Sequence, residues 1–191
     1  MSITLEQLFT EARSQNGYLD TPVSDDTLHQ LYELMKWGPT SANCSPARLC
    51  FVRSPQAKAQ LLECMNPGNR QKVIEAPVTV IIGMDLAFAD HLPQLFAHTD
   101  ARSWFAGKEE LTRSTAFRNS SLQGGYLILA ARALGLDCGP MSGFDAARLD
   151  QAFWAGTAVM TNFVCTLGHG NPASLMPRHP RLTFDQACRL A

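Results

Sequence analysis

The sequence predicts a folded globular domain in which amphipathic helices alternate with short buried strands. Three observations carry that expectation. Apolar residues make up 46% of the chain and charged residues 17%, the balance of a packed protein rather than a disordered one. At 191 residues the chain suits one domain, residues 1–191, with a substantial core. Hydrophobic periodicity also switches between helical and extended patterns, and Val78-Thr79-Val80-Ile81-Ile82 is the clearest buried strand.

Taken in order, Ile3 to Gln15 reads as a helix with Ile3, Leu5, Leu8, Phe9 and Ala12 on one face, broken at Gly17. Ser24 is an N-cap, followed by acidic Asp25 and Asp26 and an apolar face of Leu28, Leu31, Tyr32 and Met35. Gly38-Pro39 ends that helix, because glycine tolerates left-handed backbone and proline cannot continue the ladder. Leu49 to Val52 reads as a strand, and Pro55 opens a helix stopped by Asn66-Pro67-Gly68. The pattern weakens from Asp85 to Glu110, where short helices interrupted at Pro93 are expected. Glu109 to Leu134 is the longest helix. Its second half, Tyr126 to Leu134, is apolar almost all round, so it should be fully buried or lie in a subunit interface. Gly124-Gly125 permits close backbone approach, and Gly135 is the C-cap. Gly139 to Gly143 reads as a turn, Asp145 as the N-cap of the next helix, Asn162 to Leu167 as the last strand, and a short helix closes the tail.

Several function classes fall away. A net charge of -1 offers no clustered basic face for nucleic acid. No apolar stretch reaches membrane-spanning length, and Met1 to Thr10 shows no basic segment ahead of an apolar run, so a cytoplasmic protein is expected. Six cysteines (44, 50, 64, 138, 165 and 188) lack any Cys-x-x-Cys pair and read as free thiols, with no metal site. No Gly-x-Gly-x-x-Gly follows a strand, and P-loop, His-Glu-x-x-His and Gly-x-Ser-x-Gly motifs are absent. A chain without acid–base or nucleophilic machinery of its own points to chemistry carried by a cofactor.

The polar residues concentrate in the stretch from Lys36 to Arg53. Its loop of Thr40, Ser41, Asn43 and Ser45 exposes backbone amides and short donors suited to a polyoxygenated ligand, although an ordinary polar connection is the commoner source of such a loop. Arg13 with Ser14 at a helix end fits either a phosphate clamp or a solvated arginine favoured by the helix dipole. Asn69, Arg70 and Lys72 lead into the buried strand, where they reach a ligand at its edge or decorate a surface helix.

Together these motifs resemble the nitroreductase-like FMN flavoproteins. Pro39-Thr-Ser-Ala-Asn43 with Pro46 is similar to that family's Pro-Ser-x-x-Asn-x-x-Pro loop. Arg13-Ser14, Asn69 and Lys72 before Ala76-Pro77, Gly139-Pro-Met-Ser-Gly143, and tail residues Arg178 and Arg181 extend the resemblance over essentially the whole chain. The malonic semialdehyde reductase branch is the most similar, through 36–48, 100–105, 116–121 and 131–145. The resemblance implies an α+β fold, a central mixed sheet flanked by helices, and an intertwined homodimer with FMN at the subunit interface and the tail of one subunit crossing the other. It implies FMN contacts from Arg13, Ser14, Pro39, Thr40, Ser41, Asn43, Asn69, Lys72, Pro140, Met141, Ser142, Gly143, Arg178 and Arg181. Flavin N5 would carry the hydride near the Ser142 backbone N–H, and no side chain would be catalytic. The family's Arg-Arg-Ser-x-Arg is here Ala12-Arg13-Ser14-Gln15-Asn16, so phosphate binding leans on Arg13 and the tail arginines.

The activity so implied is reduction of a small carbonyl acid by NADH or NADPH through FMN, specifically malonic semialdehyde to 3-hydroxypropanoate in pyrimidine degradation. Arg102 and Arg118 are the candidates to bind the substrate carboxylate, because a guanidinium holds both oxygens in a plane; pairing with local carboxylates such as Asp100 or Glu110 is the equal alternative. A broad nitro or quinone reductase, and a flavin-binding protein without turnover, are the competing functions. Small molecules are the expected partners, with neither nucleic acid nor membrane involved.

Overall fold

The computed structural model describes residues 3–191; Met1 and Ser2 lie outside the described residues. Four strands, β1 (Ala47–Val52), β2 (Val78–Asp85), β3 (Asp137–Met141) and β4 (Val159–Gly168), form a sheet in the order β1-β2-β4-β3. Every strand pair is antiparallel, and the parallel component is the isolated bridge from Ser14 to Cys138. β2 is buried along all eight residues, which explains its β-branched run: it lies between two strands with helices over both faces.

Among the described residues, six α-helices, α1 (Asp25–Met35), α2 (Pro55–Cys64), α3 (Pro67–Glu75), α4 (Leu92–Leu95), α5 (Glu109–Ala133) and α6 (Ala146–Phe153), surround the sheet, and α7 (Phe184–Ala187) lies in the exposed tail. The side chains of Ser24, Ser54 and Asp145 accept backbone N–H groups at the starts of α1, α2 and α6. Val78, Val80 and Ile82 point from β2 into one core with Leu31 and Met35 of α1 and Leu127 and Ala131 of α5. Ile81 and Val164 point the other way, onto Leu61, Val73 and Leu149 of α2, α3 and α6. A third cluster around Phe88 gathers Cys44, Met84, Leu92, Ala101 and Ala116 where the 86–105 segment covers one end of the sheet. The result is an α+β architecture with a helix layer on each face of the sheet.

Three sequence expectations change. The Ile3–Gln15 helix is reduced to a single π-helical turn, Glu6–Thr10, with no buried residue, and Ile3, Leu5 and Phe9 are exposed. An apolar stripe stabilises a helix only where it packs, and this one meets no core of its own chain. Gly139 to Met141 is the end of edge strand β3 rather than a turn; Pro140 is tolerated there because an edge strand leaves room for a residue without an N–H. Of the two readings of the second half of α5, full burial does not hold: Leu127, Ala130 and Ala131 enter the core while Tyr126 is exposed, which leaves the subunit-interface reading. Tyr126 shares a cavity of about 740 Å³ with exposed Phe117 and Leu122 from earlier in the helix, and Arg118 and Gly125 also line it. Beyond Met176 every residue is exposed, Leu182 and Phe184 of the tail included. No helix among the described residues is long and apolar enough to cross a membrane.

Gly124 lets α5 sit against β4, since a Cβ there would come within 2.4 Å of the Phe163 ring. Gly124→Ala is therefore expected to cost about 1–3 kcal/mol through overpacking. Equilibrium denaturation would measure it, and unchanged stability would show that the ring moves aside freely.

Candidate functional site

The Thr40–Ser45 loop is held in an uncommon shape. Ala42 (φ 50°), Asn43 (φ 50°) and Ser45 (φ 38°) adopt left-handed backbone without being glycine. Each such residue costs on the order of 1–2 kcal/mol, so surrounding contacts must impose the shape. Ser41 N–H donates to Asn119 Oδ1 at 2.8 Å, and Ala47 N–H donates to Gln123 Oε1 at 2.8 Å. Within the loop, Ser45 N–H donates to Thr40 Oγ1 at 3.1 Å and Asn43 Nδ2 donates to Leu95 O at 2.9 Å. Arg48 closes the far end. Its guanidinium donates to the carbonyls of Ser45 and Ala47 and pairs with Asp85 at 2.6 Å. Cys44 is wholly buried beneath the loop, and burial pushes its thiol up to about 11, so it is a neutral packing group at physiological pH.

A second group of polar residues lines the outer edge of β3. Ser14 bridges to Cys138 at the start of the strand, where Gln15 N–H donates to Cys138 O at 2.8 Å. Arg13 and Arg178 lie together there, Arg13 donating to Met176 O and Arg178 to Ala12 O at 3.1 Å. The crossed arginines tie the start of the tail to the N-terminal segment immediately before Ser14. Past the end of β3, Asn69 Nδ2 donates to Gly143 O at 3.1 Å, and Asn66 N–H reaches the same carbonyl at 3.0 Å. A Cβ on Gly143 would lie 2.6 Å from Asn69 Nδ2, so a larger residue would push that amide off the Gly143 carbonyl. Lys72 follows Asn69 one turn later on the same face of α3. Glu75, at the end of α3, accepts Tyr18 N–H, so α3 runs from Gly143 back toward the Arg13–Ser14 corner.

The structure thus sorts the sequence-selected residues into two groups. Pro39, Thr40, Ser41 and Asn43 lie at the β1 edge. Arg13, Ser14, Asn69, Lys72, Pro140, Met141, Ser142, Gly143 and Arg178 line the β3 edge. Strands β2 and β4 intervene, so the start of β1 at Ala47 and the end of β3 at Met141 are about 17 Å apart by strand spacing and rise. Arg181 joins neither group; it donates to His179 O and Pro180 O in its own turn. Arg102 pairs with Asp90 at 2.7 Å, a different carboxylate from the Asp100 or Glu110 suggested by sequence. Arg118 has no ion pair among the described residues, and it precedes the Asn119 that holds Ser41.

Sequence reasoning missed Asn119, Gln123, Arg48, Asp85 and Asn66. A signal existed for the first two. Thr115, Asn119 and Gln123 recur at four-residue spacing on α5 and are all buried, a polar stripe leading into the half of the helix read as apolar.

Comparison with known proteins bears on this geometry. The family model described as the nitroreductase family matches residues 10–169. A Burkholderia lata protein provisionally named NADH dehydrogenase/NAD(P)H nitroreductase is 62% identical over 97% of this chain and 95% of its own length. A Bacillus subtilis nitroreductase structure superposes with a TM-score of 0.88 at 23% identity, covering 96% of this chain and 97% of the other. An Exiguobacterium sibiricum nitroreductase structure in complex with FMN also gives a TM-score of 0.88, at 18% identity, over 100% and 98% of the two chains.

The left-handed loop has a direct energetic consequence. Ala42→Val places a β-branched side chain at φ 50° and is expected to lower stability by about 1–2 kcal/mol. Thermal or denaturant unfolding measures this, and full stability would mean that the loop relaxes at no cost.

Proposed function

The chain belongs to the nitroreductase family, and we propose that it is an FMN-dependent NAD(P)H oxidoreductase that reduces a small carbonyl acid, malonic semialdehyde to 3-hydroxypropanoate. The observation that carries the reading is the row along the β3 edge. Two guanidinium groups stand beside the Ser14–Cys138 bridge at one end, and the Asn69 amide on the Gly143 carbonyl, with Lys72 one turn further along α3, stands at the other. That donor set fits FMN. Arg13, Arg178 and Ser14 suit the phosphate, since guanidinium forks match its oxygens. Asn69 and Lys72 suit the pyrimidine edge of the ring, where a fixed cation favours the electron-rich form. FMN supplies hydride acceptance from NADH or NADPH and delivery to the substrate.

The chain's own residues bind and orient. Asn69 and Asn66 fix the Gly143 carbonyl, and with it the peptides that follow β3, including the Ser142 N–H assigned to flavin N5. The Thr40–Ser45 loop supplies the remaining contacts to the flavin of a second copy, because packed strands separate it from the β3 edge of its own chain. A homodimer also accounts for three surfaces: the exposed Phe117–Leu122–Tyr126 stripe, the tail with nothing of its own chain to pack on, and a groove of about 1150 Å³ beside the free edge of β1. In this reading the tail of one copy crosses the other and carries Arg181 toward the phosphate. Arg118 binds the substrate carboxylate, since it has no ion pair among the described residues whereas Arg102 is held by Asp90.

A second reading, a broad nitro or quinone reductase, is favoured by the names of the relatives. Purified protein should be yellow and bleach with NAD(P)H, which removes the flavin-binding protein without turnover. Arg118→Ala should then cost about 2–5 kcal/mol in kcat/KM on malonic semialdehyde and little on a quinone. Equal losses on both substrates, or a wild type that prefers nitroaromatics, would displace the carbonyl-acid reading.

A further inference from the structure

We propose that Asn119 and Gln123 of α5 are positioning residues that set the Thr40–Ser45 loop in its ligand-facing shape before any flavin arrives; the inference rests on reading that loop as half of the FMN site. The two side chains are one helical turn apart, with 1% and 5% of their surfaces exposed. They accept the backbone N–H groups of Ser41 and Ala47, which bracket the three left-handed residues. Asn119 has no freedom to turn. Its Nδ2 donates to Thr115 O at 2.8 Å, so only Oδ1 can face Ser41. A buried amide that lost these partners would be costly, and a leucine of similar volume would suit a buried helix face better. The polar stripe therefore makes physical sense as a template for the loop. Ala42 cannot stabilise left-handed backbone through its own side chain, so the bracketing bonds must impose its conformation.

A purely structural alternative is that these amides only dock α5 onto the sheet. Asn162 performs that task separately: its Nδ2 donates to Ser120 Oγ at 2.8 Å and Ser121 Oγ at 2.9 Å without touching the loop. It is therefore the control.

The test compares Asn119→Leu and Gln123→Leu with Gln123→Glu, which keeps the acceptor oxygen, and with Asn162→Ala. Two quantities are read: amide hydrogen exchange of residues 41–47 in flavin-free protein, and the FMN dissociation constant by flavin fluorescence. Each leucine variant should speed exchange in 41–47 and weaken FMN binding by roughly tenfold or more, the loss of one buried hydrogen bond. Gln123→Glu should recover most of both, and Asn162→Ala should change neither. Asn119→Ser, polar but too short to reach Ser41, takes the place of a leucine variant that does not fold. Wild-type exchange in a folded leucine variant overturns the proposal, and so does faster exchange with unchanged FMN affinity. A wild-type protein that takes up no FMN would instead overturn the flavin reading, and the exchange measurement would still decide whether the amides shape the loop.

Discussion

Two buried strands, β2 and β4, lie between the Thr40–Ser45 loop on one edge of the sheet and the Arg13–Gly143 row on the other, and helices seal both faces. No side chain in these positions is long enough to cross that core. A flavin resting on the β3 edge is therefore out of reach of its own chain's loop, and a second copy is the simplest way to bring the two groups onto one ligand. The same constraint explains why so much apolar surface remains exposed in a single chain. Phe117 and Tyr126 on α5 and Leu182 and Phe184 in the tail are exposed, and a second copy would cover them in the proposed dimer.

Helix α5 connects these parts. One face, with Leu127 and Ala131, fills the core against β2 and α1. A second, through Thr115, Asn119 and Gln123, is buried but polar and ends on loop backbone. A third carries Arg118 and the exposed stripe. A single 25-residue helix thus joins the core, the loop and the proposed subunit interface. Gly124 is the close-packing point that sets its distance from β4.

Much of the fold was legible in the sequence because local chemistry and tertiary context agree there. The β-branched run at 78–82 became the central strand, Ser24 and Asp145 cap the helices they were expected to cap, and Gly135 takes the positive φ its position required. Where they disagree, the sequence misleads. The amphipathic Ile3–Gln15 segment meets α5 through polar bonds of Gln7 and Leu8 with Arg132 and leaves Ile3, Leu5 and Phe9 exposed, so its periodicity yields only a single helical turn there. Gly139-Pro140 has turn composition, and only pairing with β4 makes it a strand. The residue types of the candidate site were visible, but its division was not, because strand order is a property of the whole chain. Asn69 was selected for a ligand, and half of its amide is taken up by the Gly143 carbonyl.

The claim that one flavin is held by two chains is tested most directly by subunit complementation. A chain carrying Arg13→Ala and Arg178→Ala damages only the β3-edge half, and a chain carrying Asn119→Leu damages only the loop half. Either alone should purify with little flavin. Co-expressed and isolated as a mixed dimer through two different tags, they should retain one intact site and bind one FMN per two chains at near wild-type affinity. A mixed dimer no better at holding FMN than its parents would contradict a site shared between subunits.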